Sequence, residues 1–243
     1  MRLLVYNIAY GTGHSGLPSD HIRKAHRFLR TSSSVLDKIA EFISGEDPDI
    51  VGLIEVDIGS SRTRYVNQAL EIASRLKHHH LSAVKYSRQH IASSIPIVRL
   101  QANAILSRDS IPSSNFHFMP CGIKRLVIEA EIGGTSFFLV HLSVRRNIRT
   151  KQIAHLAKIA NQKRPLIIAG DFNTFSGVSE IEILKKTLHL YDANSDELPT
   201  FPSYRPRRQL DFVLCSHEVK KLNFKIPNVS FSDHLPIIFD FET

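Results

Sequence analysis

The sequence predicts an α/β fold in which packed β-sheets lie between layers of helices. Short apolar runs typical of buried strands alternate with segments that repeat apolar residues at helical spacing. Several of these runs follow one another with no segment long enough for a helical crossover, which argues against a simple doubly wound sheet. The 243 residues contain no linker-like stretch and no internal repeat, so we expect residues 1–243 to form one domain.

The predicted strands are apolar runs bounded by polar residues, glycine or proline. They cover residues 3–8, 49–55, 102–107, 126–132, 137–141, 165–169, 212–215 and 236–241. Amphipathic helices are predicted around residues 35–43, 66–73, 153–160 and 181–188. Ser60 and Ser61 are predicted to cap the second helix. The run Lys77-His78-His79-His80 is interpreted as a solvated helix end, because contiguous histidines lack the spacing of a structural zinc site.

Charge and composition restrict the function classes. The net charge of +8 and the pI of 9.6 favour polyanions such as nucleic acid, phosphoinositide headgroups or an anionic membrane surface. A basic protein without such a partner is the alternative. Cys121 and Cys215 form no CxxC motif, and the apolar run after Met1 is too short for a signal peptide or a membrane span. We expect a cytoplasmic monomer with no transmembrane segment.

The most informative feature is the polar residue at the end of several buried strands. Asn7, Glu55 and His141 end three runs, and Asp171 with Asn173 follows a fourth. One such residue is usually a strand terminus or a cap. Four or five that can ligate a hard metal or transfer a proton favour a site. Because strand ends can converge at one edge of a sheet pair, we expect these side chains to share a cleft.

Two short motifs add chemistry to these strand ends. In Gly170-Asp171-Phe172-Asn173 the two polar side chains point the same way in an extended chain, so a carboxylate could activate water beside an amide that binds a phosphoryl oxygen. Ser232-Asp233-His234 places an oxygen ligand beside a group that titrates near neutral pH. Taken alone, the first motif is also typical of an Asx turn and the second of a surface turn.

Taken together, these segments resemble the endonuclease/exonuclease/phosphatase superfamily, whose members have a DNase I-like fold. The matching segments follow the family's order: LVYNI (4–8), DPDIVGLIEV (47–56), NAILSR (103–108), VHL (140–142), GDFN (170–173), LDFVL (210–214) and SDHLP (232–236). As a set they are specific for the superfamily but not for a substrate. The resemblance implies a four-layer α/β sandwich, with two packed mixed β-sheets flanked by helices and the site at one end.

The resemblance also implies a phosphoesterase that depends on Mg²⁺ or Mn²⁺. Glu55 would be the principal metal ligand, with Asn7 and Asp233 as further ligands or hydrogen-bond partners, since hard cations favour oxygen donors. Asn103 would contribute to substrate binding.

The remaining motif residues would be catalytic by the same resemblance. Asp171 would position or deprotonate the attacking water, and Asn173 would bind phosphoryl oxygens. Asp211 would orient His234 and favour its charged form. His141 resembles the second histidine of DNase I-like proteins and is the expected general acid for the leaving group. The assignment of acid and base between Asp171 and His234 stays open.

Other sequence features bear on the substrate groove. Ala102 stands where glycine commonly precedes the Asn103 motif, a change with little expected effect on chemistry. Residues 11–33 form a basic loop or short helix where many relatives are shorter, which affects the edge of the groove. Arg62, Arg145 and Arg208 lie close to motifs, so converging strands would place them around the cleft as phosphate contacts. Taken singly, each is more often a solvated loop charge.

Three functions are compatible with these observations. The first is a nuclease-type phosphodiesterase acting on nucleic acid, which the basic charge and the resemblance favour. The second is a phosphatase or phosphodiesterase acting on phosphoinositides, phospholipid headgroups or small phosphate esters. The third is a catalytically silent binding protein of the same fold. The full set of motif residues argues against the third function, because a binding protein does not need all of them.

Overall fold

The computed structural model describes residues 1–17, 29–85 and 95–243, which form two β-sheets and the helices that cover them. The strands are β1 (Arg2–Asn7), β2 (Ile50–Asp57), β3 (His79–Val84), β4 (Gln101–Ser107), β5 (Ser113–Phe118), β6 (Leu126–Ile132), β7 (Thr135–His141), β8 (Leu166–Asp171), β9 (Leu190–Asp192), β10 (Asp211–Ser216), β11 (Lys220–Lys225) and β12 (Ile237–Glu242). The helices are α1 (Ser33–Glu46), α2 (Gln68–Leu76), α3 (Arg146–Ala160) and α4 (Ser179–Leu188). Much of the predicted basic segment 11–33 lies outside the described residues.

Over the described residues, each sheet has six strands of mixed direction. The first sheet has the order β11-β12-β1-β2-β4-β3, and the second has the order β5-β6-β7-β8-β10-β9. The parallel pairs are β1 with β2 and β7 with β8, and the other neighbours are antiparallel. A chain that alternates helices with hairpin-connected strands produces this mixture.

The side chains of each strand divide between two faces, as the period of two requires. Leu3 and Val5 of β1 pack into the core between the sheets, together with Phe137 and Leu139 of β7. Leu4 and its outward-facing neighbours pack against α1 and α2. The outer face of the second sheet packs against α3 and α4. The predicted four-layer sandwich of two mixed sheets flanked by helices is therefore confirmed.

The strands that the sequence does not predict all lie at sheet edges. They are β3, β5, β9 and β11, whereas each predicted strand has a neighbour on both sides. The interpretation of Lys77–His80 as a helix end is wrong at its second half, because α2 ends at Leu76 and His79 begins β3. An edge strand is less deeply covered and lacks the continuous apolar run that identifies an interior strand.

The second helix also begins later than the sequence predicts. Asn67 caps α2, because its side chain accepts a hydrogen bond from the backbone N–H of Leu70 at 3.2 Å. Ser60 instead accepts from the N–H of Arg62 at 3.1 Å in a short 3-10 turn. Val66 and Leu70, predicted on the apolar face of this helix, are exposed. Within the described residues, none of the helices has both the length and the apolar character needed to cross a membrane.

Candidate active site

Polar strand ends from both sheets meet at Asp171. His141 at the end of β7 is the register partner of Asp171 on β8, and Asp211 at the start of β10 is its partner on the other side. From the first sheet, Asn7 donates a hydrogen bond from Nδ2 to Asp171 Oδ2 at 3.1 Å. The structure therefore brings together four of the predicted site residues through strand pairing and a single bond between the sheets.

Gly170 permits the close approach of β7 and β8 beside this meeting point. Its φ of +141° is one that L side chains rarely adopt, and a Cβ built there would lie 2.0 Å from the carbonyl oxygen of Val140. Any side chain at this position would push the two strands apart. It would thereby separate His141 from Asp171.

Asp211 and His234 form a buried hydrogen-bonded pair. Nδ1 of His234 donates to Asp211 Oδ2 at 2.7 Å, and the hydroxyl of Thr200 donates to the same oxygen at 2.6 Å. Burial alone would lower the pKa of His234, but the carboxylates of Asp211 and Asp171 outweigh it and raise the pKa to about 10. The Phe201 ring packs on the imidazole with centroids 5.1 Å apart. His234 is therefore held in place as a cation at neutral pH.

Asp171 is an ionised carboxylate surrounded by donors. Oδ1 accepts from the N–H of Asn173 at 2.9 Å, and Nε2 of His141 and of His234 lie 3.3 and 3.9 Å from Oδ2. Burial favours the neutral acid, yet the charge of His234 and the approach of His141 Nε2 lower the pKa of Asp171 below its ordinary value. The carboxylate is thus charged and oriented from several directions.

His141 differs from His234 in its proton affinity. Its Nε2 lies 3.8 Å from Glu55 Oε1, and neither ring nitrogen has a well-formed hydrogen bond to any described residue. Burial, with the charges of Lys124 and Lys85, lowers the pKa of His141 to about 3. At neutral pH the ring is therefore neutral and offers one N–H donor and one acceptor.

Asn173 follows β8 in the left-handed conformation, with φ of +53°. Its Nδ2 donates to the carbonyl oxygen of Leu142 at 3.0 Å, and its own carbonyl accepts from Nη1 of the buried Arg149 at 2.7 Å. Arg149 pairs in turn with Glu180 at 2.8 Å. These bonds fix the amide beside Asp171 and leave the second N–H of its NH₂ group for another acceptor.

Glu55 owes its position to an irregularity in β2. The pairing of β2 with β4 shifts between Leu53 and Val56, and Glu55 takes φ of +57° at this bulge. Its backbone N–H donates to Asn103 Oδ1 at 3.2 Å. Asn103, predicted as a substrate contact, therefore stabilises the bulge through its oxygen. Its buried Nδ2 has no hydrogen-bond partner among the described residues.

Two lysines that the sequence analysis missed approach Glu55. The Nζ atoms of Lys85 and Lys124 lie 3.5 and 3.9 Å from Oε1. Burial would raise the pKa of Glu55, but these charges, with His141, lower it to about 2. Glu55 and both lysines line a cavity of about 300 Å³, together with Arg145. No motif marks either lysine: Lys85 directly follows edge strand β3, and Lys124 lies in the loop between β5 and β6.

Glu55 and two oxygen-bearing neighbours, Asp233 and Asn7, fit a divalent cation. Asp233 is held by Ser232, whose hydroxyl also contacts the carbonyl of Asn7 at 2.7 Å. Burial and the negative charge of Glu55 raise the pKa of Asp233. The positive charge of His234 opposes them but does not outweigh them. A cation held by Glu55 and Asp233 would remove the repulsion between these carboxylates. Asn7 adds a carboxamide oxygen, which makes the donor set one that Mg²⁺ or Mn²⁺ prefers.

A second group of side chains has metal-ligand spacing but suits a cation less well. Donor atoms of Asp171, Asp211 and His234 lie within 4.8 Å of one another. However, the imidazole already donates to Asp211 and carries a charge at neutral pH. A protonated imidazole has no lone pair to offer a metal. By the chemistry of their donor atoms, Glu55, Asp233 and Asn7 therefore suit a divalent cation better than this group does.

The three predicted arginine contacts have different environments. Arg62 was predicted to contact phosphate at the edge of the cleft, but its side chain is only 2% exposed and pairs with Asp57 at 2.8 Å. The predicted phosphate contact is therefore wrong for Arg62. Arg145 is exposed and lines the cavity beside Glu55. Arg208 is exposed and lies over the Phe175 ring at 5.4 Å. Arg62 is buried because Asp57 ends β2 inside the protein and needs a cation.

Solved structures share this fold at low sequence identity. The mannosyl-6-phosphatase of Bacteroides thetaiotaomicron is 14% identical, with a TM-score of 0.74 and 100% of both chains covered. The 3′ phosphatase NExo from Neisseria, solved with a product DNA hairpin, is 15% identical, with a TM-score of 0.68 and 100% of both chains covered. The human nocturnin catalytic domain, solved with a sulfate anion, is 19% identical, with a TM-score of 0.68, and the match covers 100% of this chain and 93% of that one. No curated protein sequence matches the chain.

The family match agrees with the geometry around Asp171. Residues 4–234 match the Endonuclease/Exonuclease/phosphatase family, a range that runs from β1 to His234. The matched range therefore includes the polar strand ends of both sheets. The chain belongs to the Endonuclease/Exonuclease/phosphatase family and has the fold of a phosphoesterase.

Proposed function

We propose that this chain hydrolyses phosphate esters with the help of a divalent cation and that Asp171 orients the attacking water. The observation that carries the proposal is the buried, ionised Asp171 carboxylate, whose Oδ2 has Asn7, His141 and His234 within 3.1 to 3.9 Å. A carboxylate fixed in this way can hold a water in line with phosphorus and accept its proton as the new bond forms.

The neighbouring donors suit the charge that develops on the phosphoryl oxygens. His234 supplies a fixed positive charge, and Asn173 supplies the amide N–H that Leu142 leaves unused. His141, with its lowered pKa, supplies a neutral N–H donor instead of the imidazolium expected of a general acid. We therefore assign His141 to hydrogen bonding with a phosphoryl or leaving oxygen.

The cation would be held by Glu55, Asp233 and Asn7. A divalent cation there supplies Lewis-acid polarisation of the phosphoryl group. The fit of the donor set supports Mg²⁺ or Mn²⁺, and the two carboxylates are the residues whose loss should abolish ion binding.

Nucleic acid is the substrate class that the charge of the whole chain favours. The net charge of +8 and the exposed Arg145 and Arg208 would attract a polyanion to this face. A small phosphate ester is the second substrate class, and the cavity of about 300 Å³ beside Glu55 favours it because a concave site of this size suits a small ligand. A silent binding role has less support, since the site combines an ionised carboxylate at Asp171 with a charged His234 and an amide donor at Asn173, which are groups that hydrolysis needs.

A substrate panel tests this proposal. The purified protein would be incubated with Mg²⁺, Mn²⁺ or EDTA and with plasmid DNA, abasic-site DNA, RNA, phosphoinositides and small phosphate monoesters and diesters. We expect metal-dependent cleavage of at least one ester. No cleavage of any ester in either metal would contradict the enzyme assignment and leave the silent binding role.

A matched pair of variants tests the site. Asp171→Asn should lower turnover by at least about 10²-fold, the usual lower range for losing an acid–base group. Asp196→Asn makes the same chemical change at an exposed loop position and should leave turnover unaffected. Equal turnover by the two variants would place the chemistry elsewhere.

A further inference from the structure

The residues that line the cavity beside Glu55 carry more positive than negative charge. Lys85, Lys124 and Arg145 line it against the single carboxylate of Glu55, so three cations less one anion leave a net charge of +2. A cation held at Glu55 would increase this excess. The buried Arg62–Asp57 pair nearby is balanced one to one, which is the usual arrangement for charge removed from water.

Lys85 is held at the cavity wall by largely buried partners. Its side chain is 3% exposed, and its Nζ donates to the hydroxyl of Tyr10 at 3.0 Å. Nζ also lies 5.0 Å from the centre of the Tyr10 ring, and the Arg62 guanidinium lies 4.2 Å from the same centre. Because Asp57 anchors Arg62, the position of the Lys85 ammonium is determined by buried partners.

Lys124 reaches the cavity from a loop that α3 holds in place. Nε2 of Gln152 donates to the carbonyl oxygens of Cys121 at 2.9 Å and of Lys124 at 2.6 Å. Oε1 of Gln152 accepts from the N–H of Ser143 at 2.8 Å, which ties the same side chain to the loop after β7. Gly122 lies so close to α3 that a Cβ there would be 2.8 Å from Ile148. The side chain of Lys124 is 28% exposed and can contact a ligand.

We propose that this cavity is a second phosphate subsite, which binds a phosphate group that the substrate carries beside the scissile one. The proposal rests on the proposed function, because it assigns the cavity to the same substrate. The ammonium groups of Lys85 and Lys124 both approach one oxygen of Glu55, each has three N–H donors, and a phosphate dianion would match the net charge of +2. The second phosphate could belong to a small bisphosphate or to the phosphorylated end of a nucleic acid strand.

Calorimetry without turnover tests the subsite. Wild-type protein in EDTA would be titrated with adenosine 3′,5′-bisphosphate and with adenosine 3′-monophosphate, which differ only in the second phosphate. We expect the bisphosphate to bind about tenfold more tightly, the effect of one or two charge-assisted hydrogen bonds. Oligonucleotides with a 5′-phosphate or a 5′-hydroxyl form a second pair of probes, and a preference confined to either pair identifies which molecule supplies the phosphate.

Three variants decide whether Lys124 is responsible. Lys124→Met should abolish most of the tenfold preference, Lys124→Arg should keep it, and Lys151→Met on the exposed face of α3 should not change it. Equal binding of both members of each pair by the wild type would overturn the subsite, as would a preference that survives in Lys124→Met. Because binding is measured without hydrolysis, a protein that keeps the preference but cleaves no ester contradicts only the proposed function.

Discussion

His234 and His141 both approach Oδ2 of Asp171, yet one is charged and the other neutral. The pKa of His234 is raised to about 10 by Asp211 and Asp171, which outweigh burial, whereas burial and two lysines lower that of His141 to about 3. The side of the site that contains Asp211 and His234 has a complete hydrogen-bonded pair. On the side that contains Glu55, Lys85 and His141, the ring nitrogens of His141 have no hydrogen-bond partner among the described residues, and the cavity lining has a net positive charge.

The two sides of the site are therefore organised to different degrees before substrate arrives. The Asp211 side is preorganised, so its contribution requires little rearrangement when charge develops at phosphorus. The Glu55 side needs a ligand or an ion to use its donors. Variants on the two sides should therefore differ in how they respond to metal and to pH.

The largest effect is expected on the Glu55 side. Glu55→Gln keeps the shape but removes the carboxylate that would hold the cation, so turnover should fall on the order of 10³-fold, since a bound metal contributes several kcal/mol to charge stabilisation. Mn²⁺ binding, followed by electron paramagnetic resonance, should weaken in parallel. Glu131→Gln changes an exposed carboxylate of β6 and serves as the control. Unchanged Mn²⁺ binding in Glu55→Gln would place the ion elsewhere.

The next effect concerns the preorganised side. Asp211→Asn should reduce turnover by about 10²-fold or more, because His234 loses the carboxylate that orients and charges it. The pKa of His234 should fall from about 10 towards its ordinary value. Activity that needs the imidazolium would then decline at a lower pH than in the wild type. An NMR titration of the imidazole, with the pH–rate profile, checks both points, and an unmoved titration would contradict the pairing.

A smaller change in activity is expected at the neutral histidine. His141→Asn replaces one hydrogen-bond donor with another whose position differs. Turnover should fall by about tenfold, which corresponds to the free energy of one lost or misplaced hydrogen bond to a charged group. Because His141 is neutral across the working range, the alkaline decline of the pH–rate profile should stay where it is in the wild type. A shift of that decline would mean that His141 titrates during catalysis.

The effects on stability depend on pH, and their signs are opposite. The raised pKa of His234 gives stability that is present below pH 6.5 and is lost as pH rises towards 10. The lowered pKa of His141 gives the reverse, with stability present above pH 6.5 and lost as pH falls towards 3. Urea unfolding of His234→Asn should show a weaker alkaline decline, and that of His141→Asn a weaker acid decline. The same pH dependence in both variants would contradict the assigned protonation states.

Interior strands could be predicted from the sequence and edge strands could not. Both faces of β1 are buried, so Leu3, Leu4 and Val5 form a continuous apolar run that predicts a strand. β11, whose first residues Lys220 and Lys221 are exposed, carries no such pattern. The same distinction explains the site, because Asn7, His141 and Asp171 stand out as polar ends of apolar strands. Lys85 and Lys124 follow no such strand and were missed.

Among the basic residues, the sequence determined the charge but not its location. Arg62 and Arg145 have the same side chain and similar distances from a motif, yet Arg62 is buried against Asp57 and Arg145 is exposed at the cavity. The order of the interior strands along the chain follows from local apolar runs. Ion-pair partners depend on which loops the sheets bring together, so only the tertiary structure assigned Arg62 to Asp57 and both lysines to Glu55.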